Sequence, residues 1–453
     1  MELSSPQLQS TTHTAPARPG RRRMLAGLGA LPVSAVLGTA AAQADTAQAQ
    51  PAKRTGRGKG RRGPFRLGVE NLLRKHLDVL EGASVGLITN PTGTDRHLRS
   101  TIDLLVDAQK KGGFTLTALY GPEHGVRGAE PAGGKVEDYT DPKTGLPVRS
   151  LYGKTQKPTP EMIRDVDVLV FDIQDIGARF YTYIWTLYYA MEAASENGKR
   201  FVVLDRPNPL GRAAEGFVLE ESLSSFIGLR PIPQRHGLTV GELARYFTAE
   251  FLEKDLDLTV VEMSGYDPDE VLGTDLPWVL PSPNIPTGET AVVYAGTGLI
   301  EAINVSEGRG TTTPFLWFGA PFITEKHIDE IIKDLSCLPG LLARPMFTTP
   351  STSKHEGEFC GGVQLHITDL EKFQPVRTGI HVICTLMRRV EETDWREGEK
   401  CRTDEDVCWI DQTTGTKRTR RMIESGLHPD IIVAAWQDEL DAFNRTAAQY
   451  HLY

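Results

Sequence analysis

Val166-Asp167-Val168-Leu169-Val170-Phe171 runs without a break into Asp172-Ile173-Gln174-Asp175-Ile176-Gly177-Ala178-Arg179. A short apolar run rich in β-branched residues reads as a strand buried on both faces, and its polar end is abrupt. The same grammar recurs three times. Ser84-Val85-Gly86-Leu87-Ile88 leads into Thr89-Asn90-Pro91-Thr92-Gly93. Thr115-Leu116-Thr117-Ala118-Leu119-Tyr120 leads into Gly121-Pro122-Glu123-His124-Gly125-Val126-Arg127-Gly128, and Phe201-Val202-Val203-Leu204 into Asp205-Arg206-Pro207-Asn208-Pro209. Helical periodicity lies around these runs, near 71–80, 98–110, 160–165, 184–197 and 239–253. The pattern predicts an α/β fold, a mostly parallel sheet covered by helices on both faces. Such sheets bind ligands beyond the carboxyl ends of their strands, so the polar clusters are expected to form an active-site rim.

One more strand is expected at 257–262. Thr239 and Glu242 make a T-x-x-E capping box, which assigns Glu242 to structure. After Pro277 the texture changes to a proline-rich turn, Pro281-Ser282-Pro283-Asn284-Ile285-Pro286, and a polar loop, Asn304-Val305-Ser306-Glu307-Gly308-Arg309-Gly310-Thr311. Helices near 325–335, 379–390 and 429–445, with strands near 342–347 and 362–368, indicate a second, smaller α/β domain. The expected division is a catalytic domain at 65–310 and a C-terminal domain at 311–453.

A chain of 453 residues, 40% of them hydrophobic, can bury a large core. Its net charge of −9 is unevenly spread. Residues 1–64 carry ten Lys/Arg against two Asp/Glu, which leaves residues 65–453 with a charge of −17. An acidic body argues against a nucleic-acid partner. The basic leader reads as a targeting segment. Gly20-Arg21-Arg22-Arg23-Met24-Leu25 precedes a mildly apolar stretch, and Ala42-Gln43-Ala44 fits a small-x-small cleavage site. A twin-arginine export signal at 1–44 and a flexible basic linker at 45–64 are expected, with the mature chain periplasmic or extracellular. The stretch is too short and Gly/Ala-rich for a membrane helix, and no other segment would span a bilayer. The five cysteines form no CxxC pair. Buried free thiols are the expected state, with a Cys401–Cys408 bridge as the alternative. H-E-x-x-H, G-x-x-x-x-G-K-[ST] and G-x-G-x-x-G are all absent, so no metal and no cofactor are expected.

The chemistry therefore falls to the rim. Glu123 sits in a tight Gly-Pro-Glu-His-Gly turn, where a partly shielded carboxyl group would be held protonated and serve as a proton donor. Asp172 and Asp175 end the next strand and Asp205 the one after. Paired carboxylates a few ångströms apart are what glycoside hydrolysis needs. The competing reading places these acids in salt bridges with Arg127, Arg179 and Arg206. Tyr181 and Tyr183 suit stacking on a sugar ring, whereas Trp185 reads as core.

Together the segments GLITNPTG, GPEHGVRG, TGLPVRSLYG, DIQDIGARFYTYIWT, VLDRPNPLG, HGLTVGELA, LPWVLPSPNIPT and NVSEGRGTT resemble the exo-β-N-acetylmuramidase family, from about Leu67 to Tyr453. The resemblance implies a Rossmann-like domain, a smaller C-terminal domain and an active site in the cleft between them. It also implies removal of β-linked N-acetylmuramic acid from the non-reducing end of peptidoglycan fragments. That sugar carries a lactyl carboxylate, which calls for a local cation: Arg127, Arg179, Arg206 or Arg309. Asn90, Asn208, Asn284 and Asn304 then suit the acetamido group and hydroxyls, with His124, His236, Asp205 and Glu307 as further contacts. Glu123, Asp172 and Asp175 are the catalytic candidates; retention, inversion and assistance by the acetamido oxygen all remain open. The rival readings are a non-catalytic muropeptide-binding protein and a wall-directed esterase or amidase, for which Ser282 and Ser306 are the motif serines.

Overall fold

The four apolar runs become neighbours in one seven-stranded sheet. The computed structural model describes residues 63–128, 138–153, 155–403 and 405–453; the expected leader and nearly all of the linker lie outside them. The sheet contains β1 (Ser84–Thr89), β2 (Thr115–Gly121), β3 (Tyr139–Thr140), β4 (Pro147–Ser150), β5 (Val168–Asp172) and β6 (Arg200–Leu204). β7 (Glu215–Val218) and β8 (Pro233–Arg235) pair separately, and β9 (Leu258–Val261) completes the large sheet in the order β3-β4-β2-β1-β5-β6-β9. Within this large sheet, among the described residues, only the β3–β4 pairing is antiparallel. From β1 the chain winds outward through β2 and β4, then returns to β5 on the other side and continues through β6 to β9. The winding reverses at β1, so the crevice for a ligand opens beyond the carboxyl ends of β1 and β5.

Alternation along each strand explains why both faces are covered. Val85, Leu87, Val168 and Val170 meet Leu72 of α1 (Gly68–Lys75) and Ile102 and Leu105 of α2 (Thr101–Gly112). Ile88, Leu169 and Phe171 point the other way, onto Leu187 and Met191 of α3 (Tyr183–Glu196) and Leu243 and Phe247 of α4 (Val240–Glu250). Each such side chain, fully buried, contributes about 1.5–3 kcal/mol. Gly86 in β1 leaves room for the Tyr120 ring, which a Cβ there would meet at 2.7 Å. Trp185 is fully buried on α3. The capping box of α4 forms as the sequence predicts: Thr239 Oγ1 accepts from Glu242 N, and Glu242 accepts from Thr239 N.

The remainder contains α5 (Gly288–Thr297), β10 (Trp317–Ala320), α6 (Glu325–Leu335), β11 (Leu341–Thr348), β12 (Cys360–Ile367) and α7 (Pro375–Arg389). The short helices α8 (Trp409–Thr414), α9 (Lys417–Glu424), α10 (Pro429–Ala434) and α11 (Gln437–Ala447) follow. A three-stranded antiparallel sheet, β10-β12-β11, packs against α6, and α5 lies against α7.

The sequence expectations fail at four places. Residues 160–165 form turns rather than the expected helix. The helix expected over 429–445 breaks between Ala434 and Gln437 into two. α5 carried no signal, since Thr290 to Thr297 are all buried and such a helix has no polar face to give it a period. The cysteines differ as well. Cys401 and Cys408 are joined in a disulfide across a Cα–Cα distance of 5.8 Å, Cys337 is exposed, and only Cys360 and Cys384 are buried thiols. Among the described residues no helix is long and apolar enough to cross a membrane.

Candidate active site

Glu123 lies just past the carboxyl end of β2, in a turn closed by Gly125 N donating to Pro122 O at 2.9 Å. His124, the third residue of that turn, has φ +71°, a left-handed conformation that suits glycine. For a histidine it costs on the order of 1–3 kcal/mol, and such strain gathers at functional sites. Gly121 makes the reversal feasible, because a Cβ there would meet Gly125 Cα and Val126 N at 3.2 Å. The turn delivers Glu123 to a ring of phenols. Burial and the neighbouring Glu123 carboxylate, which also hydrogen-bonds it, push the Tyr152 hydroxyl up to about 12. Tyr181, Tyr183 and Tyr294 are raised too, first by burial and further by the charge of Glu123. Tyr181 stands edge-on to both Tyr183 and Tyr294, with ring centroids 5.0 and 5.9 Å apart.

Asp175 is the second carboxylate of this cluster, and its charge also reaches the Tyr181 hydroxyl. It is buried. Its Oδ2 accepts from Gly177 N at 2.7 Å and lies 3.1 Å from His236 Nε2. His236 Nδ1 accepts from Leu238 N at 3.2 Å, so the ring proton belongs on Nε2, facing Asp175. Asp175 is thereby held in one orientation while its Oδ1 has no partner among the described residues. Two more polar atoms here are buried and unmatched. Asn90 Nδ2 and the Tyr181 hydroxyl both lie beside the Tyr183 hydroxyl, which donates to Pro281 O at 2.5 Å, and neither makes a well-formed hydrogen bond among the described residues. Each unmatched buried atom costs about 1–3 kcal/mol. Such under-satisfied polar atoms within one cluster of rings suit a polar ligand. Asn284, half-buried, sits in the same turn as Pro281.

The far wall comes from the C-terminal part of the chain. Tyr294 on α5 packs edge-on against Phe315 at 4.7 Å, and the Arg309 guanidinium lies over the Phe315 ring at 5.1 Å. Arg309 donates to Glu301 at 2.7 Å and lies 3.2 Å from Glu307. Lys354 Nζ lies 3.1 Å from the other oxygen of Glu307, yet its three protons go to Ile300 O, Ile303 O and Val305 O. Glu307 Oε2 is therefore held chiefly by the charge of Lys354.

Other expected site residues have structural partners. Asp172 is fully buried, takes two hydrogen bonds from Arg206 at 2.5 and 3.0 Å, and accepts from Thr101 at 2.5 Å. Arg206 also donates to Thr94 O. Asp205, pushed up to about 7 by burial, accepts from Tyr453, Thr239, Gly241 N and Arg206 N, tying the chain's last residue to α4. Arg127 grips Asp141 through two bonds of 2.6 and 2.9 Å and holds that carboxyl down to about 2. Arg179, fully buried, donates to the carbonyls of Phe217, Ile232 and Thr413, and burial brings it down to about 9. Asn208 bonds Leu238 O and Leu210 N, and Asn304 bonds Glu392 O and Asp394 N. Ser282 and Ser306 accept from Asn284 N and Gly308 N, and among the described residues neither is bonded to a histidine.

Of the predicted residues, Glu123, His124, Asp175, His236, Asn90, Tyr181 and Tyr183 come together, with Arg309, Glu307 and Asn284 around them. Tyr152 and Tyr294 escaped sequence reading. Tyr152 lies in the TGLPVRSLYG segment, and only that neighbourhood pointed to it.

The chain matches the N-terminal model of "Exo-beta-N-acetylmuramidase NamZ" over residues 85–289 and its C-terminal model over residues 292–453. It is 49% identical over 391 residues to the "Peptidoglycan beta-N-acetylmuramidase NamZ" of Bacillus subtilis (strain 168), covering 85% of this chain and 91% of the relative. Two solved DUF1343 family proteins from Bacteroides fragilis NCTC 9343 share the fold, each covering 86% of this chain and 99% of its own. One has a TM-score of 0.77 at 40% identity, the other 0.67 at 26%.

Proposed function

The chain belongs to the exo-β-N-acetylmuramidase family of NamZ, and from that premise we propose how its own residues carry out the reaction. It is a glycoside hydrolase that removes β-linked N-acetylmuramic acid from the non-reducing end of peptidoglycan fragments. Glu123 among four tyrosines, with the buried Asp175 carboxylate nearby whose Oδ1 has no partner among the described residues, is the observation that carries the mechanism. Glu123 gives its proton to the glycosidic oxygen as the bond to the anomeric carbon breaks, and water completes hydrolysis at that carbon. Asp175, fixed by His236 and Gly177 N, supports the positive charge that develops there or steadies the group that attacks it. NMR of the first-formed anomer decides between retention and inversion. Release of free N-acetylmuramic acid from its β-1,4-linked disaccharide tests the reaction; binding without turnover would overturn it.

Arg309 supplies the cation for the lactyl carboxylate. Arg127 is also partly exposed, but of the four candidate arginines Arg309 is the one that borders this ring cluster, through Phe315 and Tyr294. Arg309→Ala should weaken binding of the lactyl sugar by about 1.5–3 kcal/mol, the worth of a charged hydrogen bond. N-acetylglucosamine, which lacks the lactyl group, should bind variant and wild type alike. An undiminished preference for the lactyl sugar would make Arg309 structural.

The protein acts after export. The Arg21-Arg22-Arg23 leader and the Cys401–Cys408 disulfide, a bond that persists in oxidising compartments, support this reading. Replacing the three arginines with lysine should leave folded protein in the cytoplasm. Unchanged export would reject the twin-arginine route.

A further inference from the structure

Resting on the assignment of Arg309 to the lactyl carboxylate, we propose that Lys354 is a positioning residue that sets the enzyme's selectivity for an anionic sugar. It holds the loop that carries Arg309, and it balances the two carboxylates beside that guanidinium.

The need for balance arises from the partners of Arg309. Its Nη2 donates to Glu301 at 2.7 Å, and its Nε lies 3.2 Å from Glu307 Oε1. The Glu301 side chain is 19% exposed and that of Glu307 only 3%, so water screens neither charge well. One guanidinium between two carboxylates leaves a negative charge uncompensated, and a lactyl carboxylate would add another. Lys354 supplies the missing cation, its Nζ 3.1 Å from Glu307 Oε2. Arg396, the other cation that Lys354 feels, is exposed and lies over the Trp409 ring at 4.9 Å. With the charges matched, Arg309 Nη1 makes no hydrogen bond among the described residues and is open to a ligand oxygen.

The same lysine shapes the backbone. Its three protons go to Ile300 O at 3.0 Å, Ile303 O at 2.7 Å and Val305 O at 3.0 Å, all on the segment that joins Glu301 to Glu307 and Arg309. Neighbouring residues of the loop between β11 and β12 hold that segment too. His355 Nε2 donates to Asn304 O at 2.8 Å, and Ser351 N and Oγ both donate to Gly310 O at 2.9 Å. Ser353 and His355, on either side of the lysine, have φ +72° and +59°. Such left-handed backbone persists only where the surroundings over-determine it, and it gathers at functional sites.

The cluster communicates with the reacting groups through Tyr294. Burial raises that hydroxyl first, and Glu301, Arg309, Glu123 and Glu307 all act on it as well. Arg309 and the proton donor thus share a wall, and the charge beside Arg309 is felt where the sugar sits. A lysine that only braced the loop would affect every sugar alike. A lysine that also balances charge affects the lactyl sugar alone.

The test measures dissociation constants of N-acetylmuramic acid and N-acetylglucosamine, which differ only in the lactyl group, on the mature enzyme. For Lys354→Met, preference for the lactyl sugar should fall about tenfold, the size of one charge acting across several ångströms of protein. Binding of N-acetylglucosamine should stay near wild type. Glu307→Gln leaves the lysine cage in place and keeps an oxygen for Arg309, which guards against misfolding of the lysine variant. It removes one negative charge and should raise the lactyl preference several-fold. The double variant again has matched charges, so its preference should return toward wild type although three carbonyls still lack their donor. Equal losses for both sugars in Lys354→Met, no gain in Glu307→Gln, or a double variant as impaired as Lys354→Met would each overturn the proposal. If Arg309→Ala keeps the full preference, the assignment of Arg309 fails instead.

Discussion

Glu123→Gln should reduce hydrolysis of the natural disaccharide by about 10²-fold or more, equivalent to about 2.7 kcal/mol of transition-state stabilisation. Glutamine keeps the shape of the side chain and its place in the Pro122–Gly125 turn, so the strained backbone at His124 is untouched. What it lacks is a proton to give. An aryl glycoside with an acidic leaving group departs without that proton, so its cleavage should suffer far less. The phenols supply an independent readout. Part of the rise at Tyr152 comes from the negative charge of Glu123, and removing that charge favours the phenolate. The Tyr152 titration should therefore move down from about 12 in the variant, although burial, the larger cause, still holds it above an ordinary tyrosine. Equal loss on both substrates with folding intact would remove Glu123 from the role of acid and pass it to Asp175.

The sheet and its rim were legible because their causes are local. A buried parallel strand needs an unbroken apolar run, and a chain leaving it toward a ligand needs polar residues and glycines. Partnership across strands has no such signature. Asp172 and Asp175 stand three residues apart in one segment, yet Asp172 faces Arg206 from the segment after the neighbouring β6 whereas Asp175 meets His236. Arg179 looks like a carboxylate clamp in sequence, but its fork is filled by three carbonyls, one of them 234 residues away at Thr413. Tyr294 was hidden for a related reason. It lies on a helix buried all round, and only the fold brings that helix to Tyr181.

Asp172→Ala should cost about 3–5 kcal/mol of stability, because it strands a buried guanidinium without its counter-charge. Arg206 is only 4% exposed and keeps Thr94 O as its remaining partner, while Thr101 loses its acceptor. Against the usual 5–15 kcal/mol for a folded domain, that is a large fraction. A marked fall in melting temperature is expected. Replacing the pair together, Asp172→Leu with Arg206→Met, should recover much of the loss, since apolar side chains need no counter-charge. Asp175→Ala should behave in the opposite sense. It removes a carboxylate whose Oδ1 has no partner among the described residues and whose Oδ2 meets Gly177 N and His236, so stability should change less and activity per folded molecule more. Thermal unfolding and turnover measured on the two single variants separate the roles. If Asp172→Ala keeps the wild-type melting temperature while turnover collapses, then Asp172 is the catalytic carboxylate, and the ion pair with Arg206 serves the reaction rather than the fold.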